Sequence, residues 1–439
     1  MRMTIIGTGY LGAVHAACMA DIGHDVLGID ADPARVRTLA RGIAPFYEPG
    51  FGEVLTRALR SGKLRFSTSM ADAAAFAEVH FVCVGTPQLS GSEAADVTGI
   101  HAVLEDLLPR LTRDCLVVGK STVPVGTTRA IARKAARLAP PGVLVEVAWN
   151  PEFLREGMAV QDTLSPDRLV VGVMSDRSDA VLRLVYQPLL DQGTPFISTD
   201  VNTAELVKVS ANAFLATKIS FINAMSDVCE VVGGDISTLS EALGYDRRIG
   251  RGYLSAGLGF GGSCLGKDIR AFVARAEELG AGASMSFLRE VDLYNLRRRS
   301  QTVEIARELA GGTFTRRNVA VLGAAFKPGT DDVRDSPALD VAAAVHRQGA
   351  QVRVHDPKAT ENARAAMPSL EYMPSAEQAC EQADVVMHLT EWEQYRDLDP
   401  AALGTIVRQR RIVDGRNVLP PSRWLAAGWT VRTLGRAVR

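Results

Sequence analysis

Short apolar runs alternate with helical segments over the first 200 residues of this 439-residue chain. Strands are predicted at 3–6, 25–29, 79–84, 116–118 and 143–147. Such alternation predicts a parallel sheet whose faces are covered by crossover helices. The same pattern returns near Arg317, with strands predicted at 318–322, 351–355, 385–389 and 411–413. The sequence therefore predicts two separate α/β units.

Between these units, residues 203–232 form an alanine-rich helical stretch that contains no Pro or Gly before Gly233. Such a helix would be about 45 Å long, enough to link two domains or to form a subunit interface. The expected fold class is α/β, with two Rossmann-like domains joined by a long central helix. Domain bounds are predicted at 1–200, 201–310 and 311–439, the middle region being helical.

Composition excludes several classes of protein. The chain has 49 Lys and Arg against 50 Asp and Glu, so no basic field favours nucleic acid or an anionic membrane surface. Its apolar runs are far shorter than the ~18 residues of a membrane span, and no leader-like segment precedes the first strand. The six cysteines form no CxxC pair and the seven histidines are scattered, which fits reduced thiols and no metal site. We expect a cytoplasmic protein.

A glycine turn follows the first predicted strand. Gly7, Gly9 and Gly12 match GxGxxG between that strand and a helical segment. Glycines there allow a tight turn and let the backbone approach a pyrophosphate at a helix N-terminus. Asp30 ends the second strand, where a carboxylate accepts hydrogen bonds from both ribose hydroxyls, so NAD is expected rather than NADP. Arg35 lies close to Asp30 in sequence and could instead accommodate the 2′-phosphate of NADP or stack on adenine. The alternative for the whole motif is a glycine turn that serves packing alone.

One cysteine lies among five glycines in residues 257–268. A thiolate at Cys264, near backbone amides, Lys267 or a helix beginning near Asp268, would have a lowered pKa and could act as a nucleophile. Asp268, one helical turn further on, could hold a water or orient a proton-transfer partner. The alternative is an inert thiol in a glycine-rich turn, which is the expected state of the other five cysteines.

Polar side chains also occur on the long helix and after the fifth strand. Lys208 and Asn212 share one helix face with Glu205, and both could stabilise a reacting oxygen, although Lys208 could equally lie at the surface. Glu152 and Glu156 follow the strand predicted at 143–147, at the edge of a parallel sheet where ligands bind. They are candidate bases, or ordinary carboxylates at a helix start.

Taken together, these segments resemble the nucleotide-sugar 6-dehydrogenases of the UDP-glucose/GDP-mannose dehydrogenase family over nearly the whole chain. The elements that carry the resemblance, each with the number of its first residue, are GTGYLG (7), PFYEPG (45), GTP (85), KSTVPVGT (120), NPEFLREG (150), PDR (166), AELVKVSANAFLATKISFIN (204), YDRRIG (245), GFGGSCLGKD (259), GAAFKPGTDDVRDSP (323), TEW (390) and DGRN (414).

The resemblance implies two successive hydride transfers from C6 of a nucleotide sugar to NAD. Cys264 matches the nucleophile, which holds the substrate first as a thiohemiacetal and then as a thioester. Lys208 and Asn212 match the residues that stabilise the C6 oxygen, and Asp268 with Thr122 the pair that positions a water. Glu152 matches the residue that activates this water, and Glu156 another carboxylate of the site.

The resemblance also implies the binding residues and the partners. Those expected at the cofactor are Gly7, Gly9, Tyr10, Leu11, Gly12, Asp30, Arg35, Thr86, Thr122 and Arg334. Those expected at the sugar nucleotide are Glu152, Phe153, Leu154, Lys208, Asn212, Arg248, Tyr253, Gly261, Phe326, Lys327 and Arg416. Arg248 is expected from the partner subunit of a homodimer or higher homo-oligomer formed through the central helix.

UDP-glucose is the expected substrate, because KSTVPVGT, PDR, TKISFIN and YDRRIG favour it. The alternatives are the same oxidation of dTDP-glucose, GDP-mannose or an N-acetylated UDP-hexose, and a two-electron hydroxyacid-type dehydrogenase in which Cys264 is structural. A protein that only senses sugar nucleotides is the remaining alternative.

Overall fold

The computed structural model describes residues 1–436. Contacts between residues divide the chain into two compact units. The first comprises Met1–Ala211 with Arg270–Gly282, and the second comprises Asn212–Ile269 with the chain from Ala283 onward. The three-domain division expected from the sequence stays a prediction, because the central region is shared between these two units.

An eight-stranded sheet with helices on both faces forms the first unit. Its strands are β1 (Arg2–Ile6), β2 (Asp25–Ile29), β3 (Leu64–Ser67), β4 (Val79–Val82), β5 (Cys115–Gly119), β6 (Val145–Trp149), β7 (Leu169–Gly172) and β8 (Phe196–Thr199). Its helices are α1 (Tyr10–Asp21), α2 (Pro33–Ala40), α3 (Phe51–Arg60), α4 (Met70–Phe76), α5 (Thr98–Leu107), α6 (Thr127–Leu138), α7 (Ala159–Leu164) and α8 (Asp176–Leu190).

The strand order is β3-β2-β1-β4-β5-β6-β7-β8. The order reverses between β1 and β4, and open α/β sheets bind ligands in the crevice at such a switch point. β6 and β7 pair antiparallel, which corrects the expectation of a wholly parallel sheet. The physical reason is that residues 150–168, with only the short α7, return to the sheet at the edge where β6 ends. This whole connection therefore stays at the carboxyl edge.

The second unit contains a six-stranded parallel sheet in the order β11-β10-β9-β12-β13-β14. Its strands are β9 (Asn318–Leu322), β10 (Gln351–His355), β11 (Glu371–Tyr372), β12 (Val385–His388), β13 (Arg411–Asp414) and β14 (Thr430–Thr433). The helices from the middle of the chain onward are α9 (Val201–Val232), α10 (Ile236–Gly244), α11 (Leu265–Glu278), α12 (Ser286–Leu309), α13 (Pro337–Arg347), α14 (Thr360–Ala366), α15 (Ala376–Cys380), α16 (Glu393–Arg396), α17 (Pro400–Leu403) and α18 (Pro421–Ala426).

Helix α9 confirms the predicted central helix and continues from the first unit into the second. The Asp200 carboxylate begins it by accepting the backbone N–H groups of Asn202 and Thr203 at 2.9 and 3.1 Å. Gly233, with a φ of 75°, ends it in the left-handed conformation that glycine adopts readily. The predicted fold class, two Rossmann-like α/β domains joined by a long helix, is confirmed.

Every predicted strand is present, with bounds that differ by at most two residues. The strands that the sequence analysis missed are β3, β7, β8, β11 and β14. No helix in residues 1–436 combines the length and the apolar composition that crossing a bilayer requires.

Candidate active site

In the turn between β1 and α1, backbone conformation and packing explain Gly7 and Gly12 but not Gly9. Gly7 has a φ of 91°, and a Cβ on Gly12 would lie 1.8 Å from the carbonyl oxygen of Gly7. A Cβ on Gly9 would meet no atom within 4 Å. No side chain caps the N-terminus of α1. Open space at Gly9, beside uncapped helix amides, fits the approach of a pyrophosphate.

Asp30 ends β2 beside this turn. Its Oδ2 accepts the backbone N–H of Thr8 at 2.8 Å, and Arg35 lies 3.2 Å from the same oxygen. Burial raises the pKa of Asp30, but two backbone N–H groups and the Arg35 guanidinium outweigh it and hold this pKa below its usual value. Asp30 is therefore an ionised acceptor, which fits the two ribose hydroxyls of NAD.

The loops after β4 and β5 join at the carboxyl edge of the same sheet. The Thr86 hydroxyl donates to the carbonyl oxygen of Thr122 at 2.7 Å. Glu205 of α9 accepts the backbone N–H groups of Gly126 and Thr128, both at 2.7 Å, and thereby caps α6. Sequence reasoning gave Glu205 no role, and the structure shows that it fixes the loop on which Thr122 lies.

Lys208 and Glu152 form a largely buried ion pair in the first unit. The Lys208 Nζ lies 3.1 Å from Glu152 Oε1, and Glu152 Oε2 accepts the N–H of Leu154 at 2.6 Å. The Phe153 ring lies 5.6 Å from that Nζ and 4.1 Å from the Arg168 guanidinium. Lys208 is only 5% exposed, so the alternative of a surface lysine is wrong. The structure thus brings together four of the predicted substrate residues.

A second buried lysine lies behind this loop and was missed. The Lys120 Nζ donates to Asn150 Oδ1 at 2.9 Å, and the Tyr186 hydroxyl donates to the same oxygen at 2.5 Å. They line a cavity of about 60 Å³ that Glu152 and Phe153 also line. Burial lowers the pKa of Lys120 to about 8. A lysine directly after a buried strand at a carboxyl edge is the signal that could have found it.

Cys264 immediately precedes α11 in the second unit. This helix begins at Leu265, three residues before the predicted start, so the sulfur lies at the positive end of the helix dipole. One turn on, Asp268 is 3% exposed; its Oδ2 accepts the Asn212 side-chain amide at 2.7 Å and its Oδ1 the Lys267 ammonium at 2.5 Å. The second unit therefore joins the thiol segment, a carboxylate and an amide donor.

The other five cysteines are buried, whereas Cys264 is exposed. Burial raises the pKa of Cys18, Cys83 and Cys115 to about 12 in each case. These thiols stay protonated at neutral pH, and thiols are far weaker nucleophiles than thiolates. The structure thus distinguishes Cys264 as the sequence did.

The glycine loop before Cys264 packs closely on the segment after β9. A Cβ on Gly261 would lie 2.1 Å from the carbonyl oxygen of Asp335, and a Cβ on Gly262 would lie 2.7 Å from the Phe326 ring. Arg416 fastens the same region, donating to the carbonyl oxygens of Leu389, Gly259 and Phe326 at 2.7, 3.3 and 3.2 Å. Arg416 was expected to contact substrate; in this structure its guanidinium bonds the backbone around the loop.

The remaining predicted residues are partly or fully exposed. Arg248 is 90% exposed and pairs with Asp246 at 2.6 Å, while Arg334 is 63% exposed and pairs with Asp332 at 2.7 Å. The Lys327 Nζ lies 5.6 Å from the Phe326 ring centroid. Leu11 and Glu156 are partly exposed, and Tyr253 is exposed. Within residues 1–436 no group of three or more His, Cys, Asp or Glu side chains could hold a metal ion.

Helix α9 carries one predicted catalytic residue from each unit. Lys208 belongs to the first unit with Glu152, and Asn212 belongs to the second with Asp268. The two lie four residues apart, so they follow one another on the same helix face.

Comparison with known proteins identifies the family. The models of the UDP-glucose/GDP-mannose dehydrogenase family match residues 1–190 (NAD binding domain), 202–297 (central domain) and 320–421 (UDP binding domain). The UDP-glucose 6-dehydrogenase of Pseudomonas aeruginosa is 40% identical over 99% of this chain and 98% of its own.

Solved structures agree with this assignment. A UDP-glucose dehydrogenase from Pyrobaculum islandicum matches with a TM-score of 0.91 at 40% identity, covering 99% of this chain and 98% of that one. A UDP-D-ManNAc dehydrogenase from Pyrococcus horikoshii matches with a TM-score of 0.87 at 26% identity, covering 100% of both chains. The chain therefore belongs to the UDP-glucose/GDP-mannose dehydrogenase family.

Proposed function

We propose that the protein oxidises UDP-glucose to UDP-glucuronate, removing four electrons from C6 with NAD as the oxidant. The exposed thiol of Cys264, at the N-terminus of α11 and one turn before the Asn212–Asp268 pair, carries this proposal. Support also comes from the Pseudomonas aeruginosa and Pyrobaculum islandicum enzymes, which are 40% identical to this chain over nearly its full length.

The chain supplies the groups that a dinucleotide site needs. Gly9 leaves space for a pyrophosphate, Asp30 supplies the ribose acceptor, and Thr86 joins the two loops at the switch point. When NAD is bound there, it accepts a hydride from C6 in each of two oxidations. Arg35 and Arg334 are the further cofactor residues that we propose.

The first oxidation takes a hydride from C6 and a proton from its hydroxyl, which leaves an aldehyde. We assign the stabilisation of the negative oxygen in this step to the Lys208 ammonium and the Asn212 amide. The Glu152 carboxylate lies 3.1 Å from the Lys208 Nζ and holds that ammonium at this position. We assign the uptake of the hydroxyl proton to the water that Asp268 and Thr122 position. The Lys208–Glu152 pair is largely shielded from bulk water, which strengthens the attraction between the lysine and the negative oxygen.

The thiolate of Cys264 then adds to the aldehyde carbon, and the oxygen takes up a proton to give a thiohemiacetal. Loss of a hydride from C6 and of that proton yields the thioester. Water, positioned by Asp268 with Thr122 and deprotonated by Glu152, attacks the thioester carbonyl. The C–S bond breaks, the carboxylate leaves, and the thiol is regenerated with its proton.

We also propose that the protein works as a homodimer formed through α9. Phe214, Phe221 and Val228 recur every seven residues along this helix and are 66, 50 and 51% exposed. A stripe of that spacing suits a helix against a second helix. The exposed Arg248 is then available to a substrate bound in the partner subunit. Cytoplasmic location stays a prediction from the sequence.

The stoichiometry of NADH tests the proposed function. Purified protein is given limiting UDP-glucose and excess NAD, with dTDP-glucose and GDP-mannose in parallel. We expect two NADH per UDP-glucose and little reaction with the other two sugars. One NADH per substrate would refute the thioester route, and reaction with another nucleotide sugar alone would change the substrate and keep the mechanism.

A further inference from the structure

The segment PFYEPG, which the proposed mechanism does not use, places a buried carboxylate between two parts of the site. Glu48 lies in the loop before α3 and is 5% exposed. Its Oε2 accepts the backbone N–H of Gly157 at 2.6 Å, and its Oε1 accepts that of Ala159 at 2.7 Å. The Tyr10 hydroxyl also donates to Oε2. One carboxylate therefore binds three donors.

These donors come from different functional segments. Tyr10 is the first residue of α1 and directly follows Gly9 of the glycine turn. A hydrogen bond to its hydroxyl therefore ties the start of α1 to Glu48. Gly157 and Ala159 end the loop on which Glu152 and Phe153 lie. Gly157 has a φ of 83°, so the loop changes direction where Glu48 holds it. The carboxylate thus connects the nucleotide turn with the loop of the proposed base.

The surroundings of Glu48 make this connection rigid. The Tyr10 ring lies 4.7 Å from the Phe46 ring, which stacks on Phe51 at 5.0 Å with an interplanar angle of 14°. Burial first, and then the Glu48 carboxylate, raises the pKa of Tyr10, so its hydroxyl keeps the proton that it donates. Charge-assisted hydrogen bonds to a buried carboxylate are stronger than neutral ones.

We propose that Glu48 is a positioning residue that fixes the loop of Glu152 against the nucleotide turn and so aligns this base for thioester hydrolysis. The proposal rests on the proposed function for the hydrolysis step alone. Glu48 acts through the backbone at Gly157 and Ala159 and does not itself contact substrate. A misplacement of about 1 Å at a reacting group can cost about 100-fold in rate.

The variant E48Q tests this role with a small change in shape. Glutamine keeps one acceptor oxygen, but its amide nitrogen would face a backbone N–H that the carboxylate now binds. We expect a burst of two NADH per active site followed by steady turnover 10- to 100-fold slower, an order of magnitude taken from the cost of misplacement. Mass spectrometry of the quenched protein should show the thioester accumulating on Cys264.

Two comparisons separate positioning from a general structural defect. E53Q makes the same chemical change on the exposed face of α3 and should keep wild-type turnover. If E48Q were merely partly unfolded, its burst amplitude would fall with its rate and no thioester would accumulate. Steady turnover of E48Q within twofold of the wild type, or loss of the burst, would overturn the proposal.

Hydrogen exchange keeps this test independent of the proposed function. The amides of Gly157 and Ala159 should exchange faster in E48Q than in the wild type, while the amides of the buried strand β1 stay protected. If the wild type fails to oxidise UDP-glucose, the proposed function fails, and exchange still decides whether Glu48 holds the loop. Unchanged exchange at both amides in E48Q would exclude its role as a positioning residue.

Discussion

At the scale of single residues, Cys264 differs from the other five cysteines in its environment. Cys264 is exposed at a helix N-terminus, whereas the others are buried in apolar surroundings that raise the pKa of the thiol, as at Cys18. Native protein should therefore react with iodoacetamide at Cys264 alone, and UDP-glucose should protect it. Peptide mapping locates the adduct; modification of a second cysteine at a similar rate in folded protein would contradict this assignment.

Substitution of the same residue tests its chemistry. Because serine is a much weaker nucleophile than a thiolate, C264S should lose at least about 1000-fold in steady NADH formation. The buried Cys229 provides the control variant C229A, since its hydrophobic cluster with Ile222, Ile236, Leu254 and Ala256 contains no proposed site residue. Both variants should unfold at temperatures close to that of the wild type. Full four-electron turnover by C264S would remove Cys264 from the mechanism.

At the scale of elements, the turn between β1 and α1 distinguishes ligand binding from packing. G9A adds a methyl group where no atom lies within 4 Å, at a φ of −64° that alanine adopts readily. The free energy of unfolding should change by less than about 1 kcal/mol. The Kd of NADH should rise at least about tenfold, equivalent to about 1.4 kcal/mol, because the methyl group would occupy the space that the pyrophosphate approaches.

The contrasting variant is G12A, whose methyl group would lie 1.8 Å from the carbonyl oxygen of Gly7. It should lower the free energy of unfolding by about 1–3 kcal/mol, as overpacking does. Chemical denaturation and NADH fluorescence measure both variants. NADH affinity in G9A equal to that of the wild type would leave packing as the role of the whole turn.

The same scale shows what the sequence could predict. Central strands such as β9 are continuous apolar runs buried on both faces, so their pattern is unambiguous. The missed strands are short and lie near sheet edges; β8, for example, has two exposed residues among four. Edge strands need less apolar surface, and their pairing is decided by neighbours distant in sequence. The Glu48 and Lys120 contacts were missed for the same reason, because their partners lie 30 or more residues away.

At the scale of the whole molecule, the two sheets share one plan. Each has six strands in the order 3-2-1-4-5-6, to which the first adds β7 and β8. In each, the residue after a glycine donates its N–H at 2.8 Å to the aspartate that follows the second strand, Asp30 or Asp356. Asp356 also accepts the Trp392 indole N–H at 3.0 Å, so a ribose hydroxyl would have to compete with it. The two turns therefore share one plan and differ in the side chain that their aspartate binds, Arg35 in the first and Trp392 in the second.

The proposed assembly of the whole molecule depends on α9, whose apolar stripe of Phe214, Phe221 and Val228 is 50–66% exposed in the described chain. We predict that light scattering gives at least twice the mass of one chain, and that F221E gives the mass of one chain, since an interface cannot bury an unpaired carboxylate cheaply. The same substitution at Leu425, which is 57% exposed on α18, should leave the mass unchanged.

Loss of the partner subunit should also raise the KM for UDP-glucose. If Arg248 reaches the nucleotide sugar of the other subunit, monomeric F221E should have a raised KM for UDP-glucose, and R248A should raise KM while remaining dimeric. A contact of the guanidinium with a diphosphate corresponds to about 10- to 100-fold in affinity. A monomeric wild type, or an F221E variant that stays dimeric, would rule out α9 as the interface. A monomer with unchanged KM would place Arg248 outside the substrate site.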